Sequence, residues 1–278
     1  MIRRSLLIFA VLVIGYMAFV KWGGVDWDTT QHQSNGNRIK AEQYVFGEEL
    51  PGTTVIVGSS LSFRIELDSL PRGTSNLGFG GLSVYDGLEL IARSGKKPAR
   101  VLIETNMLFK EPDRAFLEAM FQPGLYELRR ATPILREENQ PSGVLFGWLK
   151  EGAKTATGTV KGSEDSLAVS NMLLETNRAI FNVVPPDPTQ QRYLTLLEEG
   201  VTTLESRGIE VVFLEVPISD ELMHSDLAIR CRSIVEEHFP QHRFLRVASG
   251  SHWLTTDGLH LEWHTAQRFS GWLAAALR

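Results

Sequence analysis

Apolar residues fall along this chain in three kinds of pattern. The first is an unbroken run, "SLLIFAVLVIGYMAFV" from Ser5 to Val20, preceded by Arg3 and Arg4 and closed by Lys21. It is just short of the roughly 17–25 residues that span a bilayer, and Lys21 can lengthen it by snorkelling. "GYMAFVKWGG" offers no A-x-A cleavage pattern, so residues 1–22 are expected to remain as an anchor rather than leave as a signal peptide. Basic residues before the span place the N-terminus inside and the rest outside.

The second pattern is a set of short β-branched runs: Thr53–Val57, Arg100–Ile103, Glu210–Glu215 and Arg243–Val247. Near-continuous apolar runs suit strands covered on both faces. A further strand is expected near "NLGFGG" (Asn76 to Gly81). The third pattern is helical. Ser83–Ser94 opens with Ser83 and Asp86 in capping-box spacing and puts Val84, Leu88, Ile91 and Ala92 on one face. Gln190–Ser206 aligns Leu194, Leu197, Val201 and Leu204, with Gly208 beyond its end. Asp220–His238 is a helix stopped by Pro240, and the last helix puts Trp263, Ala266, Phe269, Leu273 and Ala276 on one face. Strands alternating with helices predict an α/β fold, a three-layer α/β/α (flavodoxin-like) arrangement around a mostly parallel sheet.

Two stretches break the alternation. Residues 23–43 are polar and aperiodic and read as a linker, so the folded domain is expected over 44–278. Between about 107 and 189 no strand stands out. Residues 110–135 and 163–181 look helical, while 139–165 are rich in Gly, Thr and Lys. That is too long for a βα connection and reads as an insertion, a cap over one end of the sheet.

Composition narrows the function classes. The 278 residues carry a net charge of −5, from 28 basic and 33 acidic side chains, which is no footprint for nucleic acid. Cys231 is the only cysteine, so neither an internal disulfide nor a thiolate metal cluster is available.

In open parallel sheets ligands bind beyond the carboxyl ends of the strands. There the chain places "GSSLS" (Gly58 to Ser62), "NLGFGG", "ETN" (Glu104 to Asn106) and, before the last helix, "DGLH" (Asp257 to His260). A serine, an Asp-His pair, free backbone N–H groups and an asparagine are what acyl transfer needs. The imidazole takes the hydroxyl proton, the carboxylate orients the imidazole, and the donors hold the oxyanion. Each residue also has a plainer reading. Ser60 could cap a helix. Gly78, Gly80 and Gly81 could permit a tight turn. Asn106 and Asp257 could cap turns. Asp257, His260 and His264 could be metal ligands, but the H-E-x-x-H order is missing, and no metal or other cofactor is expected. His224, His238, His242 and His252 are read as surface residues. Trp263 is assigned to the core by its spacing, and Trp253 is a candidate for stacking on a sugar ring.

These four blocks, in this order, resemble the SGNH, or GDSL-type, hydrolase superfamily over roughly residues 53–278, the insertion apart. The resemblance implies Ser60 as nucleophile, His260 and Asp257 as the rest of the triad, and the Ser60 and Gly81 N–H groups with the Asn106 side chain as oxyanion hole. Two positions depart from the pattern. Ser59 replaces the aspartate usual before the nucleophile, and Glu104 replaces a glycine usual in the third block. A serine before the nucleophile is similar to the membrane-anchored branch that works on envelope polymers, including alginate acetylation and teichoic-acid D-alanylation proteins. That branch implies an acylated polysaccharide or sugar substrate and a multi-spanning membrane acyltransferase as partner. The alternative is a catalytically silent SGNH-like domain that binds polysaccharide or scaffolds a complex.

Overall fold

The computed structural model describes residues 2–22, 28–157, 164–248 and 252–278. The elements begin with α1 (Ile2–Trp22), α2 (Gln33–Phe46), β1 (Thr54–Gly58), β2 (Thr74–Gly78), α3 (Val84–Ser94) and β3 (Arg100–Glu104). Then come α4 (Arg114–Met120), α5 (Leu125–Ala131), α6 (Pro141–Thr157), α7 (Glu164–Phe181) and α8 (Asp187–Ser206). The chain ends with β4 (Glu210–Leu214), α9 (Asp220–Met223), α10 (Asp226–His238), β5 (Arg243–Leu245) and α11 (Trp263–Ala276). They cluster into two compact units. One comprises Met1–Phe46 and Glu118–Lys161, the other Gly47–Leu117 and Gly162–Arg278.

The larger unit is the α/β part. Its five strands are all parallel in the order β2-β1-β3-β4-β5. Every residue of β1 is buried, and β3 and β4 expose only their first residues to any degree. That is why their sequences are continuous rather than alternating. The edge strand β2, "TSNLG", has no β-branched run; Thr74 and Ser75 are only half-buried, so nothing demands apolar residues there. The chain reverses direction across the sheet between β1 and β3. In sheets of this order that reversal opens a crevice at the strands' carboxyl ends. Helix α8 buries Leu194, Leu197, Val201 and Leu204, as expected, and packs on α3. On α3, Val84, Leu88 and Ile91 are buried but Ala92 is exposed.

The expected helix over Asp220–His238 is broken in two. Ser225 interrupts it, and its hydroxyl accepts from the Ala228 N–H at 3.4 Å, capping α10. Two side chains are also not where the sequence reading put them, and a third is partly covered. Trp263, at the first position of α11, is 57 % exposed, leaving Ala266, Phe269 and Leu273 as that helix's core face. His242 is not a surface residue. Its side chain is 5 % exposed and edge-on to Phe213 and Phe239, with Nε2 2.9 Å from Glu205. Trp253 packs against Phe269 and has the Arg268 guanidinium 4.2 Å from its ring centroid, so one ring face is already covered.

The smaller unit departs most from the sequence reading. The expected linker over 23–43 begins with residues outside the described ones, 23–27, but from Gln33 onward it is α2. This helix buries Asn35, Asn37 and Glu42 beside Ile39, Ala41, Tyr44 and Val45. Asn35 donates to Glu137 at 2.8 Å, Arg38 pairs with Glu137 at 3.1 Å, and the Glu137 N–H donates to Glu42 at 2.5 Å. A contact face that mixes amides and a carboxylate with apolar side chains leaves no clean apolar periodicity to read. Much of 139–165 is helical too: α6 starts at Pro141, a residue suited to a first helical turn, although residues 158–163 lie outside the described ones. The expected insertion over 107–189 is therefore divided: Glu118–Lys161 belongs to the unit of α1 and α2, and the rest to the sheet unit. Among the described residues α1 is long and apolar enough to cross a membrane, and none of it is fully buried.

Candidate active site

The carboxyl ends of β1 and β3 carry the first two pieces. Ser60 lies two residues beyond β1, and Asn106 two beyond β3. The chain after β1 does not run into an α-helix. It makes a single 3-10 turn over Ser62–Arg64, so Ser60 caps nothing. Its half-buried hydroxyl instead donates to His260 Nε2 at 2.8 Å. His260 Nδ1 is 2.7 Å from Asp257 Oδ2. With the proton on Nδ1 facing the carboxylate, Nε2 is the acceptor, the tautomer a general base requires. Residues two hundred positions apart thus form one hydrogen-bonded line.

Asp257 is built to stay ionised. Burial raises its pKa, but this is outweighed by hydrogen bonds from the His260 ring, the His260 N–H at 2.8 Å and the Leu259 N–H at 3.1 Å, which hold the carboxyl at about 2. Asn177 of α7 donates to the Asp257 carbonyl at 2.9 Å and ties the loop to a helix. A carboxyl lowered from 3.8 to about 2 contributes stability fully above 3.8 and loses it as pH falls through that interval. The melting temperature of the native chain should therefore exceed that of Asp257→Asn by a margin that shrinks between those two pH values. A margin constant with pH would show that the carboxylate is not specially held.

The loop that presents Ser60 is gripped from below by a buried acid. Glu104, 1 % exposed at the end of β3, accepts from the Ser59 N–H at 2.8 Å, the Ser59 hydroxyl at 2.7 Å and the Ser62 N–H at 3.1 Å. Burial pushes its carboxyl above the ordinary glutamate range, and the donors of Ser59 and Ser62 restrain the rise. A side chain at Gly58 would lie 2.4 Å from Glu104 Oε2, so the close approach of acid to backbone requires glycine there. Asn76 braces the same loop from β2: its amide nitrogen donates to the Ser62 carbonyl at 2.8 Å, and its oxygen accepts from the Gly78 N–H at 2.7 Å. Neither brace was assigned a role from sequence. The visible signal was an acid ending an otherwise apolar strand, "VLIE", directly beside the expected site.

The expected oxyanion donors divide. Gly81 is exposed, with φ of +73°, in a turn closed by the Leu82 N–H to the Phe79 carbonyl at 3.3 Å. A positive φ at the third position of such a turn is the glycine requirement of a type II turn. The N–H groups of Ser60 and Gly81 have no partner among the described residues. Asn106 is different. Its oxygen accepts from the Val216 N–H and its amide nitrogen donates to the Val216 carbonyl, both at 2.8 Å. It clamps the exit of β3 to that of β4, leaving one amide hydrogen uncommitted.

Ser59 and Ser62 serve the loop. Leu61 N–H donates to the Ser59 hydroxyl at 3.2 Å, and the Ser62 hydroxyl donates to the Ser59 carbonyl at 3.1 Å. His264 is exposed. Beyond Asn106 the loop Met107–Phe109 lines an open apolar cavity of about 490 Å³, walled also by α7 residues including Ile180 and by Leu227 and Cys231 of α10. Burial pushes the Cys231 thiol up to about 12, which leaves it protonated and unreactive at neutral pH.

No protein-family model matches this chain, and no curated protein does either.

Proposed function

We propose that this chain is a membrane-anchored, SGNH-like serine acyl-transfer protein. The single observation that carries the reading is the hydrogen-bonded line from Ser60 through His260 to Asp257 at a strand-end crevice. In the proposed chemistry the Ser60 hydroxyl attacks an acyl carbonyl while His260 Nε2 takes its proton. The N–H groups of Ser60 and Gly81, with the remaining Asn106 amide hydrogen, stabilise the oxyanion. His260 then returns the proton to the leaving alcohol, and the acyl-Ser60 ester passes to water or to a sugar hydroxyl. The cavity lined by Met107–Phe109, the residues that follow Asn106 in the chain, is apolar, which supports an uncharged acyl group.

Two further features support the substrate class. The apolar run of α1, with Arg3 and Arg4 before it, supports an anchor with its N-terminus inside and the sheet unit on the outer side. The serine before the nucleophile is similar to that of envelope-polymer acetylation proteins. By that analogy the substrate is an acylated envelope or exported polysaccharide, and a multi-spanning membrane acyltransferase is the partner that supplies the acyl group. One observation favours a second reading, a catalytically silent domain that binds polysaccharide or scaffolds such a complex. It is that Asn106 is already paired on both its oxygen and its nitrogen.

The two readings part in one experiment. The full-length chain in detergent is mixed with an activated acetyl ester, and release of the alcohol is followed together with intact mass. A burst and a mass gain of one acetyl group, mapped to Ser60, are expected. No burst and no adduct would leave the scaffold reading.

A further inference from the structure

Helix α6 turns its small residues inward and its large apolar residues outward. Gly143, Val144 and Gly147 are buried, and a side chain at Gly143 would lie 3.2 Å from the Thr29 carbonyl oxygen. Leu145, Phe146, Trp148 and Leu149 are 57 %, 45 %, 58 % and 56 % exposed. At about 100° per residue these four cover an arc of about 160°. A helix that meets water carries polar residues on that face. An apolar patch of adjacent large side chains marks a surface that something else covers.

What covers it follows from the helix to which this region is tied. The Tyr16 hydroxyl of α1 donates to the Asn139 carbonyl at 2.8 Å, two residues before α6 begins. The Pro133–Leu135 turn also touches α1, and Val13, Tyr16 and Val20 form a half-buried stripe along it. Tyr16 stands four residues before Val20, the last residue of the apolar run, which is about 6 Å along the axis. The approach to α6 is therefore fastened to α1 at a level inside the apolar run rather than beyond it.

We infer that α6 is an interfacial helix, lying along the bilayer surface with Leu145, Phe146, Trp148 and Leu149 among the lipid acyl chains. The inference rests on the proposed anchor role of α1 and is independent of the triad. Lipid is the occupant because α1 itself sets the depth, and because a tryptophan beside leucines on one face is what settles at the headgroup–acyl boundary. A span plus a surface helix attaches the smaller unit to the membrane at two places, which restrains rotation about α1.

The test uses the full chain in lipid nanodiscs, with a nitroxide at one introduced cysteine at a time; Cys231 is buried and out of reach of the label. The positions are Val11→Cys in the span, Phe146→Cys on α6, and Ile229→Cys, which replaces an exposed residue of α10. Collisions with oxygen, which concentrates in lipid, and with a water-soluble nickel chelate are measured. The Phe146→Cys label should match Val11→Cys, open to oxygen and shielded from nickel, with Ile229→Cys the reverse. If Val11→Cys is shielded but Phe146→Cys meets nickel as Ile229→Cys does, the span stands and the surface helix is overturned. If Phe146→Cys is shielded from both probes, protein covers the face and lipid is excluded. If Val11→Cys meets nickel, the anchor reading fails and takes the inference with it.

Discussion

Ser60→Ala and His260→Ala should each lower turnover of an activated ester by about four to six orders of magnitude, the range that loss of a triad member produces in serine hydrolases. The two losses should not add, because either substitution breaks the same hydrogen-bonded line. Ser60→Ala should also remove the acyl adduct. His260→Ala should lower the rate at which it forms rather than its position. Melting temperature should barely move with Ser60→Ala. Among the described residues the Ser60 hydroxyl bonds only His260, both residues are partly exposed, and a partly exposed hydrogen bond is worth about 1 kcal/mol or less. Asp257→Asn should cost about four orders of magnitude by favouring the wrong imidazole tautomer. Turnover of Ser60→Ala within tenfold of the native rate would remove the covalent mechanism, since no other described side chain is hydrogen-bonded to His260 Nε2.

The second large effect is expected at Glu104. Glu104→Ala leaves the buried N–H groups of Ser59 and Ser62 without an acceptor, at about 1–3 kcal/mol each. It also opens a void beneath the nucleophile loop. Together these approach the whole stability of an ordinary domain, about 5–15 kcal/mol, so this variant should melt far lower or fail to fold. Glu104→Gln is the gentler probe. It keeps an oxygen for the two N–H groups and turns an amide toward the Ser59 hydroxyl, so it should fold and lose a smaller part of the activity.

Under the proposed SGNH-like reading, the two departures from that pattern become one. Where the family usually has an acid at the position of Ser59 and a glycine at that of Glu104, this chain carries its acid on β3, and Ser59 Oγ meets it at 2.7 Å. Glu104→Gly combined with Ser59→Asp should therefore recover stability and burst activity over Glu104→Gly alone. A coupling of about 1 kcal/mol or more between the two positions is expected from residues in direct contact. Thermal melts of the four proteins measure it. Strict additivity would mean that the acid at 104 is not the counterpart of the acid missing at 59.

The strands and packed helices of the sheet unit were legible because burial imposes its own periodicity. β1, β3 and β4 are covered on both faces and so read as continuous runs. Likewise the buried stripe of α8 recurs every three or four residues. Where a contact face is polar the code is silent. Helix α2 read as a linker because it is held by Asn35, Arg38 and Glu42 against Glu137. Helix α6 offered no core stripe to read because its packed face is mostly glycine and its large apolar residues point away. Trp263 kept the right spacing but stands in the first turn, where α11 overhangs its core.

By itself the sequence determined the α/β alternation, the apolar first helix and the identity of the groups at the strand ends, because burial and backbone geometry restrict residue types locally. Only the tertiary structure decided that Ser60 meets His260, that Glu104 holds Ser59, and that Asn106 is engaged by Val216. Those are contacts between segments 45 to 200 positions apart. Hydrogen-bond partners at such separations depend on strand order and register, and a single sequence carries no local trace of either.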